Sequence, residues 1–248
     1  MKREGIVVSD TAKLLVLTEL SNLNWTQFFA VYRESSEENA ADWYPELPLA
    51  EALKLYEAGY REYLLGVFQA ENGMLLLLEK DGVYRSALRL IPQGQNSFLL
   101  EALETHPDFR EMGFGKRILH EMMLYLHQTR PGCKVFSEVS RKNKQSIATH
   151  RAAGFSAETG ENCDLRMTWT DAQLARLAAQ EARLDRILAA DSPSIEDLRA
   201  LEAYYESPLW RMDYESDEAG QIPEQVKRGI LSEDAIYDVL TTYEELLR

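Results

Sequence analysis

Between Met74 and Thr105 three apolar runs, Met74 to Glu79, Val83 to Ile91 and Phe98 to Thr105, are separated only by Asp81-Gly82 and by the stretch Pro92 to Asn96. Connections this short join antiparallel neighbours, because a parallel return needs about a dozen residues of crossover. The segment predicts an antiparallel meander, and the rest of the chain must be arranged around it. After it come a Gly-punctuated loop, a helix from Phe114 to His127, a strand from Lys134 to Val139, a helix from Lys144 to Ala152 and a strand near Leu165 to Trp169. Before it, Asp10 to Ala70 reads as mainly helical, with Leu49, Leu53, Tyr56, Tyr60, Tyr63 and Leu64 at helical spacing behind Pro45 and Pro48. Leu14 to Leu17 is equally readable as a short first strand, since so few apolar residues do not fix a period.

Beyond Thr170-Asp171 no strand pattern remains. Leu174, Leu177, Leu184 and Leu188 share a helical stripe, Ser194 can cap a second helix, and Ser232 with Glu233 and Asp234 opens a third after Gly229. The chain therefore divides into residues 1–170, an α/β (α+β) domain, and 171–248, a small all-α domain, a division that 248 residues accommodate. The charge is uneven too: of the net −14, residues 171–248 carry −10, from 18 acidic and 8 basic side chains. Such a field disfavours nucleic acid and suits cationic substrates or partners, or simple solubility. No apolar run spans a bilayer, Met1 to Asp10 does not read as a secretion signal, and Cys133 and Cys163 form neither a CxxC nor a metal-ligand pattern. The expectation is a cytoplasmic protein without a membrane anchor, disulfide or metal.

The chemistry concentrates in Thr105-His106-Pro107-Asp108-Phe109-Arg110-Glu111-Met112-Gly113-Phe114-Gly115-Lys116, between a strand and a helix. Glycines at 113 and 115 let backbone N–H groups converge, the next helix presents its N-terminal dipole to the same place, and Arg110 and Lys116 add positive charge; a pyrophosphate is the natural ligand. A nucleotide P-loop needs Ser or Thr where Arg117 stands, and a dinucleotide fingerprint needs a small residue at Ile118 and an early parallel βαβ unit. Neither fits.

Pro107-x-Phe109-Arg110-x-x-Gly113-x-Gly115 resembles the pyrophosphate loop of the GNAT family of N-acetyltransferases. A second element, Glu138-Val139 followed by Asn143, Ser146, His150 and Gly154-Phe155, is similar to the family's downstream motif. The resemblance covers residues 74 to 169 and extends by general plan to the N-terminal third. It implies a mostly antiparallel sheet flanked by helices, whose central strands, here Phe98 to Thr105 and Lys134 to Val139, splay apart to take the pantetheine arm of acetyl-coenzyme A. It further implies that the backbone at Leu103 and Thr105 faces the pantetheine, that Arg110, Glu111, Gly113, Phe114, Gly115 and Lys116 cradle the pyrophosphate, and that Asn143 and Ser146 flank the arm.

The reaction so implied is direct acetyl transfer to a primary amine, in a small molecule or a peptide, within a ternary complex. It needs a base for the amine and an acid for the departing thiolate. The family position for the base is Glu138, with Glu104 and Glu101 in reserve. His150 stands where the family often has a tyrosine acid, and imidazolium can serve that role. The competing readings are a salt-bridged Glu138, a packing His150 and a structural Arg89 in place of one that meets a substrate carboxylate. Trp25, Trp43 and Tyr44 are read either as buried aromatics or as acceptor-pocket walls. A non-catalytic acyl-coenzyme A sensor, acting through the acidic tail, is the alternative to an enzyme. The tail motif Tyr204-Tyr205-x-Ser207-x-x-Trp210-x-x-Asp213 resembles a small helical family without assigned function and suits either a protein-partner face or a helical packing motif.

Overall fold

The fold is that of a computed structural model, which describes residues 12–160 and 164–248. The readings made on Met1 to Asp10 and on Cys163 fall outside these residues. Two compact units are present, the first up to Met122 and the second from Met123.

In the first unit the ambiguous N-terminal run is a strand, β1 (Lys13–Leu17), antiparallel to β2 (Met74–Lys80) with Leu15 opposite Leu77. The expected meander follows as β2, β3 (Val83–Pro92) and β4 (Ser97–Thr105), all antiparallel. Asp81 (φ 54°) and Gly82 (φ 74°) both lie in the left-handed region, the type I′ geometry whose twist matches a hairpin. Leu75 to Leu78 have no exposed surface, so β2 is buried on both faces and reads as a continuous apolar run without alternation. Between β1 and β2 lie α1 (Trp25–Val31), α2 (Arg33–Trp43) and α3 (Leu49–Tyr63), the last running into a wider π-turn over Leu64–Phe68. Phe28, Val31, Tyr32, Leu64 and Phe68 pack with Leu75, Leu77, Tyr84, Ala87 and Ile91 into one core, which fixes α1 and the end of α3 on one face of this sheet. A 3₁₀ turn at Pro107–Phe109 leads to α4 (Phe114–Thr129), whose C-terminal part belongs to the second unit.

The second unit contains β5 (Lys134–Val139), α5 (Lys144–Ala152), β6 (Ser156–Thr159) and β7 (Leu165–Thr170), with β7 antiparallel to both other strands. β6 was not anticipated: all four of its residues are exposed, so it carries no hydrophobic period to be read. The tail is helical, as α6 (Ala172–Ala189), α7 (Ile195–Tyr205), α8 (Pro208–Glu218), α9 (Glu233–Thr242) and the short α10 (Glu244–Leu247). Ser194 and Ser232 cap α7 and α9 as expected, accepting from Glu196 N and Ala235 N. The α6 stripe differs in one position. Leu174, Leu177, Leu184 and Ile187 are buried, whereas Leu188 is 66% exposed, because the buried face closes on the three-residue step. No helix among the described residues is long and apolar enough to cross a membrane.

Candidate functional site

The loop after β4 is built by its own side chains. His106 accepts at Nδ1 from Asp108 N (3.2 Å), and Pro107 opens the 3₁₀ turn with a φ suited to it. Arg85, from β3, lays its guanidinium 3.6 Å from the centroid of Phe109, bracing the loop from the sheet. Glu111 (φ 61°) and Gly113 (φ 80°) both take left-handed backbone, and Gly113 O accepts from Arg117 N (3.0 Å), starting α4. A Cβ at Gly113 would meet no atom within 4 Å, so the backbone there is open to a ligand. Phe114 is buried and anchors the first turn of α4, whereas Gly115 and Lys116 are half-exposed beside it. Alternating backbone handedness leading into a helix N-terminus is a geometry that turns N–H groups toward an anion.

Arg110 does not stand alone. It pairs with Glu34 of α2 at 2.5 Å, while Arg33 pairs with Asp108 at 2.9 Å, so two ion pairs tie the loop to α2. Both are substantially exposed and contribute little to stability.

Along β4, Leu103 and Thr105 are half-buried, and Thr105 Oγ1 lies 3.3 Å from Ser86 Oγ. Arg89 of β3 stands opposite Glu101, but Ala87 stands opposite Glu104, so Ala102 and Leu103 together face one residue, Leu88. This is a β-bulge, with Ala102 in the left-handed region (φ 50°). In a regular strand residues three apart point to opposite faces. The bulge instead puts Glu101 and Glu104 on the same face, that of Ala87 and Arg89.

The two carboxylates then diverge. Glu101 pairs with Arg89 at 3.1 Å. Glu104 is shifted upward from the usual carboxylate range by burial, opposed by Arg110 and a hydrogen bond with Ser35 and reinforced by Glu34 and Glu38. Arg89 itself is buried, with its guanidinium 5.3 Å from the Tyr60 ring, 5.5 Å from Tyr63 and 5.9 Å from Phe68. Its Nη2 meets Glu101, whereas its Nε and Nη1 are buried without a hydrogen-bond partner. Trp25 and Tyr44 line a groove of about 1060 Å³ between the helices, with Phe29, Leu53 and Arg61, whereas Trp43 is 68% exposed with its ring edge on Tyr56.

The second unit holds the remaining candidates. Glu138 is exposed, and Arg166, opposite it on β7, donates to its carboxylate at 2.6 Å. Asn143 caps α5, its Oδ1 accepting from Ser146 N at 3.0 Å. Ser146 O accepts from His150 Nδ1 at 2.8 Å, which assigns the Nδ1–H tautomer, and the His150 ring meets Phe155 edge-on. His150 is 1% exposed, its Nε2 has no hydrogen-bond partner, and burial lowers its pKa against the Ser146 bond, leaving it neutral at pH 7. Cys133 is buried, and burial together with the Asp171 carboxylate pushes its thiol up to about 11. Asp171 has no exposed surface and accepts from His127 Nδ1 (2.6 Å) and Gly132 N (2.7 Å). The residues that sequence reading missed are Tyr32, whose hydroxyl donates to Ala102 O at 2.7 Å, Ala102 itself and Arg85. No local sequence signal announces a long-range hydroxyl bond or a left-handed alanine.

The sequence of residues 17–155 matches the acetyltransferase (GNAT) family, and residues 171–248 match a domain of unknown function, DUF4298. No curated protein matches the chain. Among solved structures the chain is similar to PaiA N-acetyltransferase from Thermoplasma acidophilum in complex with coenzyme A, at 20% identity and a TM-score of 0.48, covering 64% of this chain and 99% of that one. It is similar to an acetyltransferase from Streptococcus agalactiae at 13% identity and a TM-score of 0.44, over 63% and 98% of the two chains. It is also similar to the Campylobacter jejuni N-acetyltransferase PseH in complex with acetyl coenzyme A, at 12% identity and a TM-score of 0.42, over 64% and 99%. The family assignment rests on the matched sequence span rather than on these likenesses.

Proposed function

The chain belongs to the acetyltransferase (GNAT) family, and from that premise we propose that it transfers an acetyl group from acetyl-coenzyme A directly to a primary amine in a ternary complex. The observation that carries this reading is the loop from Arg110 to Lys116, where left-handed Glu111 and Gly113 lead into the N-terminus of α4 over an open backbone. Arg110, Glu111, Gly113, Phe114, Gly115 and Lys116 hold the pyrophosphate, with Arg110 exchanging Glu34 for phosphate oxygens. The backbone at Leu103 and Thr105 takes the pantetheine amides, and Asn143 and Ser146 flank the arm. Residues 1–170 form the acyltransferase domain and residues 171–248 a helical domain. The negative charge of that domain, with exposed Leu209, Met212 and Tyr237, suits a cationic protein partner.

In the reaction the amine nitrogen attacks the thioester carbon and loses a proton, backbone N–H groups hold the oxyanion, and the thiolate leaves with a proton. The family motif puts Glu138 forward as base, but its carboxylate is engaged by Arg166. We assign the role to Glu104, whose pKa burial raises toward the range in which a carboxylate serves as a base, and keep Glu138 as its rival. His150 is the family's position for the acid. Being neutral, it must first be protonated at Nε2, whose buried lone pair has no other partner. His150→Phe then lowers turnover and leaves acetyl-coenzyme A affinity intact; unchanged turnover removes His150 from the reaction.

The decisive test is thiol release from acetyl-coenzyme A by the purified protein against a panel of amines, amino acids and peptides, with acetyl-coenzyme A titrated calorimetrically in parallel. Release with an acceptor establishes the transferase and names its substrate class. Binding without release on any acceptor supports the non-catalytic sensor, and no binding overturns the reading of the loop.

A further inference from the structure

Among the described residues, six non-glycine positions have left-handed backbone, and Ala102 is the one that lies inside a strand. A methyl group disfavours that conformation, so something must hold it there. The hydroxyl of Tyr32 donates to Ala102 O at 2.7 Å, and Tyr32 is 5% exposed, its ring 4.8 Å from Phe28 and 6.3 Å from Tyr60. Burial raises its pKa well above the ordinary value, so the hydroxyl keeps its proton. A buried donor held between two rings thus grips one carbonyl of the bulge.

That carbonyl shares a peptide unit with Leu103 N–H. In a planar trans peptide the N–H points opposite to the C=O, so immobilising Ala102 O also aims Leu103 N–H, away from the Tyr32 side. A hydrogen bond accepted by the carbonyl polarises the unit and strengthens the N–H as a donor. The bulge also takes Ala102 and Leu103 out of one-to-one pairing with β3. We propose that Tyr32 is a positioning residue, which pins the Ala102–Leu103 peptide so that Leu103 N–H receives the oxygen of the reacting thioester. This rests on the acetyl-transfer reading above. Tyr32 touches neither substrate nor reacting atoms and acts through the peptide alone.

The test compares wild type, Tyr32→Phe, Ala102→Gly and the double variant for kcat, KM for acetyl-coenzyme A and Tm. Tyr32→Phe keeps the ring and its packing, and is expected to lower kcat by about tenfold or more, the scale of a lost oxyanion contact, with KM changed less than about twofold. Glycine adopts positive φ without strain, so the double variant is expected to turn over at least about threefold faster than Tyr32→Phe alone. Such a rescue does not follow if Tyr32 only supports the core. Should Tyr32→Phe fold poorly, Ala102→Val attacks the same peptide from the strand, since a β-branched residue resists this φ, and it should reproduce the kcat loss at unchanged KM. Full kcat in Tyr32→Phe or in Ala102→Val overturns the proposal, as does a kcat loss that tracks Tm and is not relieved by glycine. If wild type itself releases no thiol with any amine, the transfer reading has failed and the role of Tyr32 falls with it; failure confined to the variants indicts Tyr32 alone.

Discussion

In the tail, the fully buried Asp213 accepts from Gln173 (3.0 Å), from Arg176 Nε and Nη2 (2.8 and 2.6 Å) and from Tyr204 (2.7 Å). Buried Glu181 accepts from Ile230 N (2.6 Å), and Ile230 O accepts from Trp210 Nε1 (2.9 Å). The loop and bulge of the first unit are organised differently. They hold left-handed Ala102 and Glu111, a Glu104 carboxyl raised by burial, and Arg110 and Asp108 in exposed ion pairs. These buried polar groups of the tail satisfy one another, whereas those at the loop are strained or lightly held. Strain and perturbed carboxyls are what a site that must receive a ligand retains, and a closed network is what a folding motif requires. The Tyr204, Trp210 and Asp213 side chains therefore read as architecture, and a partner would meet the exposed Leu209, Met212 and Tyr237 instead.

This contrast breaks most readily at Asp213. Asp213→Ala leaves the Arg176 charge in a partly buried site and is expected to destabilise the protein by about 3–5 kcal/mol in urea titration. Acetyl-coenzyme A affinity should be unchanged while the protein is folded; a parallel loss of affinity would dissolve the distinction. At the loop the reverse holds. Gly113→Val forces a β-branched residue to φ 80° and puts its side chain into the open space, so calorimetry should register at least about a hundredfold loss of acetyl-coenzyme A affinity, roughly 3 kcal/mol. Glu104→Gln should lower kcat by about a hundredfold, against less than about fivefold for Glu138→Gln. The opposite ranking would return the base to Glu138.

Glu104 also predicts a stability signature. Because its folded pKa is raised, the native state holds the proton longer than the unfolded chain does, and stability falls as pH rises through that window. Glu104→Gln should thus raise Tm at neutral pH while lowering turnover. The smallest effect belongs to His150. Its folded pKa is depressed, so the stability from keeping it neutral is complete above an unfolded pKa of about 6.5 and is lost as pH falls toward the folded value. A pH series of Tm for wild type against His150→Phe should show that slope in wild type only.

Much of the fold is legible in the sequence, for identifiable reasons. Asp81-Gly82 dictates a hairpin, and Ser194 and Ser232 carry their own capping oxygens. Gly113 announces positive φ because side chains avoid it. What escaped depended on contacts far along the chain. β6 has no buried residue to reveal it, and α8 begins at Pro208 behind the Ser207 cap, inside the aromatic stretch from Tyr204 to Trp210. Of the site, the loop was legible from its glycines. The bulge was not, because alanine at 102 gives no hint of left-handed backbone and its partner lies 70 positions earlier. The roles proposed for Glu104 and Glu138 likewise turn on burial and on Arg166, which no local spacing encodes.

Asp171, the first residue of the region matched to DUF4298, sends its backbone N–H to Cys133 O and its carboxylate to His127 and Gly132 N, closing the turn from α4 into β5. A nascent chain emerges from the ribosome N-terminus first. That turn therefore stays unclasped until synthesis has gone 39 residues beyond Gly132, and a reading frame ending at Thr170 would never clasp it. A tail exchanged at this point would leave His127 Nδ1 and Gly132 N without these acceptors unless its first residue were an equivalent acid.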